Sequence, residues 1–339
     1  MVKKIGKNIL MTVLIPVIMF VFFYALCAVT GKGPFGTAAD FQYILYTSVY
    51  SGLFALALGI NITSGRFDFS LGATMILAII IGGNIAKNHH MGAAGLLIIT
   101  VLIGMIIGLA YGIIYVSLKL PPMVSSLGLA IVYEAIAFMM NRAKGVKLVG
   151  KSNMLVFAKM PGALILIIVV LAVLVILWDH SRFGYNRAAL ASGQKIATDV
   201  GINEKKNALI CYIIAGALLG LAGVVYISKF GSVSPETGLG SSTYFMTAFL
   251  PFFIGGAIAK YSSHPIGIYV GAISQAILVS GLAKLGASSS VQTVINGIVV
   301  MAFLIYTANS YKFVEVKMFK EKLETLGLEV VLWDERLTT

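Results

Sequence analysis

The sequence predicts an all-α integral membrane protein of about ten transmembrane helices, with a helical segment outside the bilayer after the sixth. Three observations predict it. The chain is 59% hydrophobic and 11% charged, with a mean hydropathy of +0.95, whereas soluble chains carry about 25% charged residues. Apolar runs recur at the length of about 20 residues that a helix needs to cross roughly 30 Å of hydrocarbon. Between the runs, the connections are mostly short, and the longest polar one spans 182–206.

The first run, 9–29, follows Lys3, Lys4 and Lys7. It is too long for a signal peptide and lacks a small-x-small cleavage site, so it reads as a retained helix. The "YALC" before Cys27 lacks the small residue of a lipoprotein site. Further spans are expected at 41–62, 69–86, 93–118, 123–140, 161–178, 207–228, 243–259, 265–284 and 291–308. Ten crossings place both termini on one side. With the N-terminus inside, inner connections hold eleven Lys and Arg residues and outer ones nine, with five more in the tail. The sense is that of the positive-inside rule, although the 141–160 loop alone places five cations outside. The net charge of +12 is thus loop charge beside lipid and calls for no nucleic acid. Cys27 and Cys211 both lie in apolar runs and read as packing thiols, with no metal set or disulfide framework.

Small residues recur at four-residue spacing in Gly104, Gly108 and Gly112, in Gly216 and Gly220, and in Gly267 and Gly271. Such faces let helix backbones approach closely where lipid offers no hydrophobic drive. Three features break the apolar pattern. In "NITSGRFDFSLGATM" (61–75), Gly65 can end one helix in a left-handed turn and Asp68 can cap the next, ahead of Ser70 and Gly72. This is either a capped interfacial turn or part of a solute route. In 182–212, "NRAALASGQKIATDVGI" fits a short helix outside the membrane. Ala188, Leu190, Ala191, Ile196 and Val200 are available for contact, Gly193 and Gly201 are flexible points, and Asn203 caps the next span. The third feature is a set of polar residues within spans: Asn84, Glu134, Ser274, Gln275, Gln292 and Asn296. Buried polar groups in transporters line wet paths; Glu134, the costliest, either lines such a path or reaches toward the headgroups.

Neither H-E-x-x-H nor G-x-S-x-G occurs, and the only His pair is His89–His90. The string "GVKLVGKS" at 145–152 fits G-x-x-x-x-G-K-[ST], but it sits in the polar loop between two spans and lacks the strand before it and the helix after it that a phosphate loop needs. No catalytic constellation or metal set is therefore expected. If transport is driven by ATP, hydrolysis must sit on another chain, which gives the 182–202 segment something to bind. An ion-driven carrier acting alone would use intramembrane carboxylates, for which only Glu134 and Asp68 qualify.

Three blocks in order, "GINITSGRFDFSLGATMILAIIIGGNIA", "LPPMVSSLGLAIVYEAIAFMM" and "SRFGYNRAALASGQKIATDVGINEKKNALICYIIAGALLGLAGVVYISKFGSVSPETGLG", resemble the ribose/xylose/galactose class of ABC importer permeases. The resemblance covers roughly 9–308. It implies a permease dimer, homo- or heteromeric, in the plasma (inner) membrane with cytoplasmic termini. It also implies two cytoplasmic ATPase subunits carrying ATP and Mg, an extracytoplasmic solute-binding protein, and no cofactor on this chain. On that basis Asn186, Arg187, Leu190, Ser192, Gly193, Ala197, Thr198, Gly201 and Ile202 couple to the ATPase. Gly65, Asp68, Ser70, Gly72, Asn84, Glu134, Gln275, Gln292 and Asn296 are the candidate pathway residues. Arg66 departs from the family's common glycine. Glu134 falls where the family often has a basic residue nearby, and the basic 141–160 loop is also atypical. These departures suit an acidic docking face on the binding protein, the more economical reading, or a phosphorylated or acidic sugar.

Residues 1–310 are read as the membrane domain and 311–339 as a cytoplasmic tail. The ending "LGLEVVLWDERLTT" resembles a strand-plus-motif fragment of the Holliday-junction-resolvase family, with Asp334 and Glu335 at its acidic positions. So short a tail cannot bury a core, so it is read as a truncated fusion fragment or an ordinary tail, and not as a nuclease.

Overall fold

The computed structural model describes residues 2–118, 120–305 and 309; the reading of the 311–339 tail lies outside them. The chain divides into two units, 1–292 and 293–339. In the first, α1 (Val2–Thr30), α2 (Ala38–Ile62), α3 (Leu71–Asn88), α4 (Gly92–Leu118), α5 (Pro122–Met139) and α6 (Gly162–Asp179) precede two short helices, α7 (Arg182–Ser192) and α8 (Gln194–Asp199). Then come α9 (Glu204–Phe230), α10 (Ser242–Met246), α11 (Phe249–Ile258) and α12 (His264–Lys284). Eight helices among the described residues are long and apolar enough to cross a membrane, and Ser242–Ile258 and Ser289–Ile305 are shorter apolar stretches. In the second unit, residues 293–305 are helical.

Two sequence expectations need correction. The 243–259 span is a broken pair, α10 and α11. Pro251 near the start of α11 cannot donate to the Thr247 carbonyl and crowds it, so the helix parts there. The 182–202 segment is likewise two helices, separated at Gly193.

The core is built from α2, α3, α9 and α12. Both α2 and α3 are buried on nearly every side, which fits their apolar character all round. The start of α2 is set by a capping box, with the Asp40 carboxylate accepting the Thr37 N–H at 2.9 Å. Lys284, at the end of α12, reaches the same Asp40 at 3.4 Å. The glycine faces pack as expected. A Cβ on Gly104 or Gly108 would collide with the carbonyls of Gly216 and Tyr212, and one on Gly216 with that of Gly104, so α4 and α9 meet backbone to backbone. Gly267 and Gly271 let α12 approach α11 in the same way, against the carbonyls of Gly255 and Pro251.

One end of this unit is capped by the basic loop. β1 (Val146–Lys147) pairs antiparallel with β2 (Ser232–Val233), in the register Val146 with Val233. Leu148 donates to the Gly231 carbonyl at 2.7 Å, and Leu148 and Met154 are buried beneath the loop. Arg142, Lys144, Lys147 and Lys159 stay exposed on it. The opposite end carries α7 and α8.

Candidate functional site

Two interrupted segments meet between the ends of the bundle. In the first, α2 stops in a Schellman motif: Arg66 N–H donates to the Asn61 carbonyl and Gly65 N–H to that of Ile62, each at 3.0 Å, with Gly65 at φ +75°. The chain then turns back. Asp68 is buried, and its Oδ1 accepts from the Ser70 backbone at 2.8 Å and the Ser70 hydroxyl at 2.7 Å. Its Oδ2 accepts from Asn61 at 3.3 Å. The carboxylate therefore ties the break to α2 and to Ser70, the residue just before α3, and leaves the first helical N–H groups of α3 uncapped by it. This corrects the expectation of a simple N-cap. Burial pushes the Asp68 carboxyl up to about 6, opposed by the bonds from Ser70 and Asn61. Arg66 is buried beside Cys211, and its Nε and Nη1 have no partner among the described residues.

The second break precedes α10. Leu239 adopts φ +64°, a left-handed backbone that is costly for a branched side chain. Glu134, 2% exposed on α5, accepts from the Leu239 N–H at 2.8 Å and from the Ser241 N–H at 2.9 Å. Two charge-assisted bonds from a distant helix hold the strained turn. Glu134 does not reach toward headgroups; it is a clamp.

The breaks interlock. A Cβ on Gly72 would collide with the Ser241 carbonyl, so the start of α3 seats directly on the second break. Phe67 and Phe69 from the first lie 5.6 and 5.1 Å, centroid to centroid, from Phe245 of α10. Interrupted helices meeting inside a bundle are the form in which transporters expose backbone groups to a route.

The α7–α8 segment connects to this joint. Ser181 caps α7 by accepting the Gly184 N–H, and Asn203 caps α9 by accepting the Lys206 N–H, as expected for Asn203. Arg187, Leu190 and Ala197 are buried and face the bundle. The Arg187 guanidinium donates to the Thr63 hydroxyl and sits 4.2 Å from the Trp178 ring centroid, while Trp178 lies 5.8 Å from the His264 ring. Arg187 thereby joins α7 to the end of α2, three residues before Arg66. Burial pulls its guanidinium down to about 10, opposed by Cys211 and Asp179, so it remains charged at neutral pH. On the other side, Tyr185, Ile196 and Val200 are exposed at 64%, 74% and 74%, beside exposed Asn186, Ser192 and Thr198. Gly193 has an extended backbone (φ 176°) open to any residue, whereas Gly201, at φ +92°, requires its glycine. Ile202 donates to the Ala197 carbonyl to close α8.

Residues 41–304 match the family described as branched-chain amino acid transport system/permease component. The chain belongs to this permease family. It is 25% identical over 313 residues to the fructose import permease FruG of Bifidobacterium longum, covering 86% of this chain and 90% of that one. It is 23% identical over 312 residues to the autoinducer 2 import system permease LsrC of Yersinia pestis and of Yersinia pseudotuberculosis, covering 88% of this chain and 87% of theirs. No solved structure matches. A multi-pass membrane permease accords with the helices described above.

The other predicted site residues of the permease are dispersed. Asn84 donates to the carbonyls of Ile80 (2.7 Å) and Gly145 (3.2 Å), so it anchors the β1 turn. Ser274 bonds back to Val270 on its own helix, and buried Gln275 has an Oε1 without a partner among the described residues. Gln292 donates to the Ala287 carbonyl at 2.9 Å. Asn296 lies half-buried in the second unit. Sequence reasoning missed Asn61, Thr63, Trp178 and a tyrosine group on α2, α9 and α10. The signals were present: Trp178 ends a span beside a polar segment, and Tyr46 and Tyr50 stand four apart on one helical face.

Proposed function

We propose that the chain is the permease subunit of an ATP-binding-cassette importer that moves a simple sugar or similar hydroxylated solute into the cytoplasm. The observation that carries this reading is the two-faced α7–α8 segment. Its outer face offers Tyr185, Ile196 and Val200 to a partner, and its inner face plants Arg187 on Thr63 and Trp178. Two cytoplasmic ATPase subunits, holding ATP and Mg, dock on the outer face. Their closure moves α7, and Arg187 passes the displacement to the end of α2 and the first break. The Gly72–Ser241 seat passes it to the second break. A contiguous chain of packed groups with two arrangements is what such coupling needs.

The sugar class rests on the names of the relatives and on the blocks quoted above. The other end is the extracytoplasmic face. There Arg142, Lys144, Lys147 and Lys159 form a rigid basic surface suited to an acidic solute-binding protein, where complementary charge serves encounter and register. The permease functions as a homo- or heterodimer in a bacterial-type plasma membrane, with both termini cytoplasmic.

A carrier driven by ions alone is disfavoured by the same geometry. Both candidate carboxylates, Asp68 and Glu134, are engaged with backbone N–H groups. The test is co-purification of the ATPase with Ile196→Glu and Val200→Glu permeases. Membrane insertion is expected to persist while ATPase association is lost. Normal association would overturn the coupling assignment, and ion-coupled uptake by the chain alone in liposomes would overturn the importer.

A further inference from the structure

Beyond the two breaks, the half of the first unit nearer the β1–β2 cap holds an aromatic group that the coupling scheme leaves unused. Tyr46 and Tyr50 stack on one face of α2 with ring centroids 6.3 Å apart. Tyr50 lies 5.6 Å from Tyr226 of α9, and Tyr226 lies 5.6 Å from Tyr244 of α10. The Tyr226 and Tyr244 hydroxyls are 3.3 Å apart, so this pair satisfies itself. Tyr46 and Tyr50 do not. They are 5% and 9% exposed, and neither hydroxyl has a partner among the described residues. An O–H buried at membrane depth without a partner is costly, and here two such hydroxyls stand four residues apart on one face of one helix. The group is not sealed: Phe230 at its edge is 55% exposed and Tyr244 is half-buried.

We infer that Tyr46, Tyr50, Tyr226 and Tyr244 form an intramembrane contact site for a neutral polyhydroxylated solute. The inference rests on the importer reading above. Ring faces suit the C–H surfaces of such a molecule, and phenol hydroxyls both donate to and accept from its hydroxyls. Apolar walls with a few placed polar groups are the usual make-up of small-molecule sites. A cationic solute is disfavoured, because the Lys229 ammonium already lies 4.9 Å from the Tyr46 ring centroid. The position also gives the site a path to the drive: Tyr244 stands on α10, directly after the Glu134-clamped break, so movement of that break displaces one wall.

The test uses the assembled importer, with its ATPase and binding protein, in proteoliposomes. The probes are labelled fructose and ribose, with leucine as a probe lacking a hydroxylated ring. Tyr46→Phe, Tyr50→Phe and the double variant keep the rings and remove the hydroxyls. The sugar moved per ATP hydrolysed is expected to fall about three- to tenfold for each hydroxyl removed, with assembly and ATPase rate unchanged. Tyr46→Ala should lose more, and restoration of assembly but not of uptake by Phe at this position separates contact from packing. Sugar transport by the wild type with an unchanged ratio in the double variant would overturn this inference alone. Transport of leucine and of neither sugar by the wild type would overturn the importer's sugar reading and this inference together.

Discussion

The two interrupted segments do the same job with different means. The break at 63–70 is self-contained: Gly65 supplies the left-handed turn, Asp68 bonds Ser70 two residues on, and Asn61 comes from the preceding helix. The break before α10 is held from elsewhere. Its left-handed residue is Leu239, not glycine, and its restraint is Glu134, 105 positions away in sequence. A locally stabilised turn holds its shape whatever its neighbours do. A turn kept strained by a remote carboxylate can relax when that helix moves. The difference points to the second break as the part that deforms and the first as a rigid seat that carries the displacement to it without changing shape.

Gly72→Leu attacks the contact between them and should have the largest effect. A side chain there collides with the Ser241 backbone, which cannot swing aside, so uptake should vanish and the detergent-extracted protein should lose its monodisperse profile. Wild-type uptake would separate the two breaks functionally. Glu134→Ala comes next. It leaves two N–H groups unpaired, at a cost of about 2–4 kcal/mol, which should lower the thermal midpoint and uncouple ATP hydrolysis from uptake. Leu239→Gly sharpens the comparison: it removes about 1 kcal/mol of backbone strain, so thermal stability should rise or hold while uptake changes. An equal change at Gly65→Ala, which introduces about 1–2 kcal/mol of strain, would show that the breaks are equivalent.

The smallest effect concerns pH. With its folded value raised to about 6 from 3.8, the Asp68 carboxyl binds a proton more tightly in the fold. Its contribution is present at acid pH and is lost as pH rises through about 6. The wild-type thermal midpoint should therefore decline across that window, and Asp68→Asn should flatten the decline. An identical slope in both proteins would place the titration elsewhere.

This contrast also marks what the sequence makes legible. Span lengths, the Gly65 turn, the Asn203 cap and the glycine faces follow from local rules, because the groups that decide them are within a few residues or repeat periodically. Glu134 reads only as an expensive carboxylate, since its donors are Leu239 and Ser241 on another element. Arg187 reads as a docking residue because its neighbours in sequence are polar, yet Thr63 and Trp178 draw it inward. The direction a side chain takes on a short amphipathic helix depends on which face the bundle covers. For Tyr46 and Tyr50, apolar rings conceal polar ends, and only the packed partners reveal that the hydroxyls go unanswered.

The carbonyl-to-glycine seams between α4 and α9 carry a mechanical consequence. Each helix has its ridges lodged against the other's main chain, so a shift along the seam would drive backbone into backbone. The pair therefore behaves as a single girder. Whatever stroke arrives from outside must be spent in bending at the breaks, and the girder is the rigid frame against which that bending is measured.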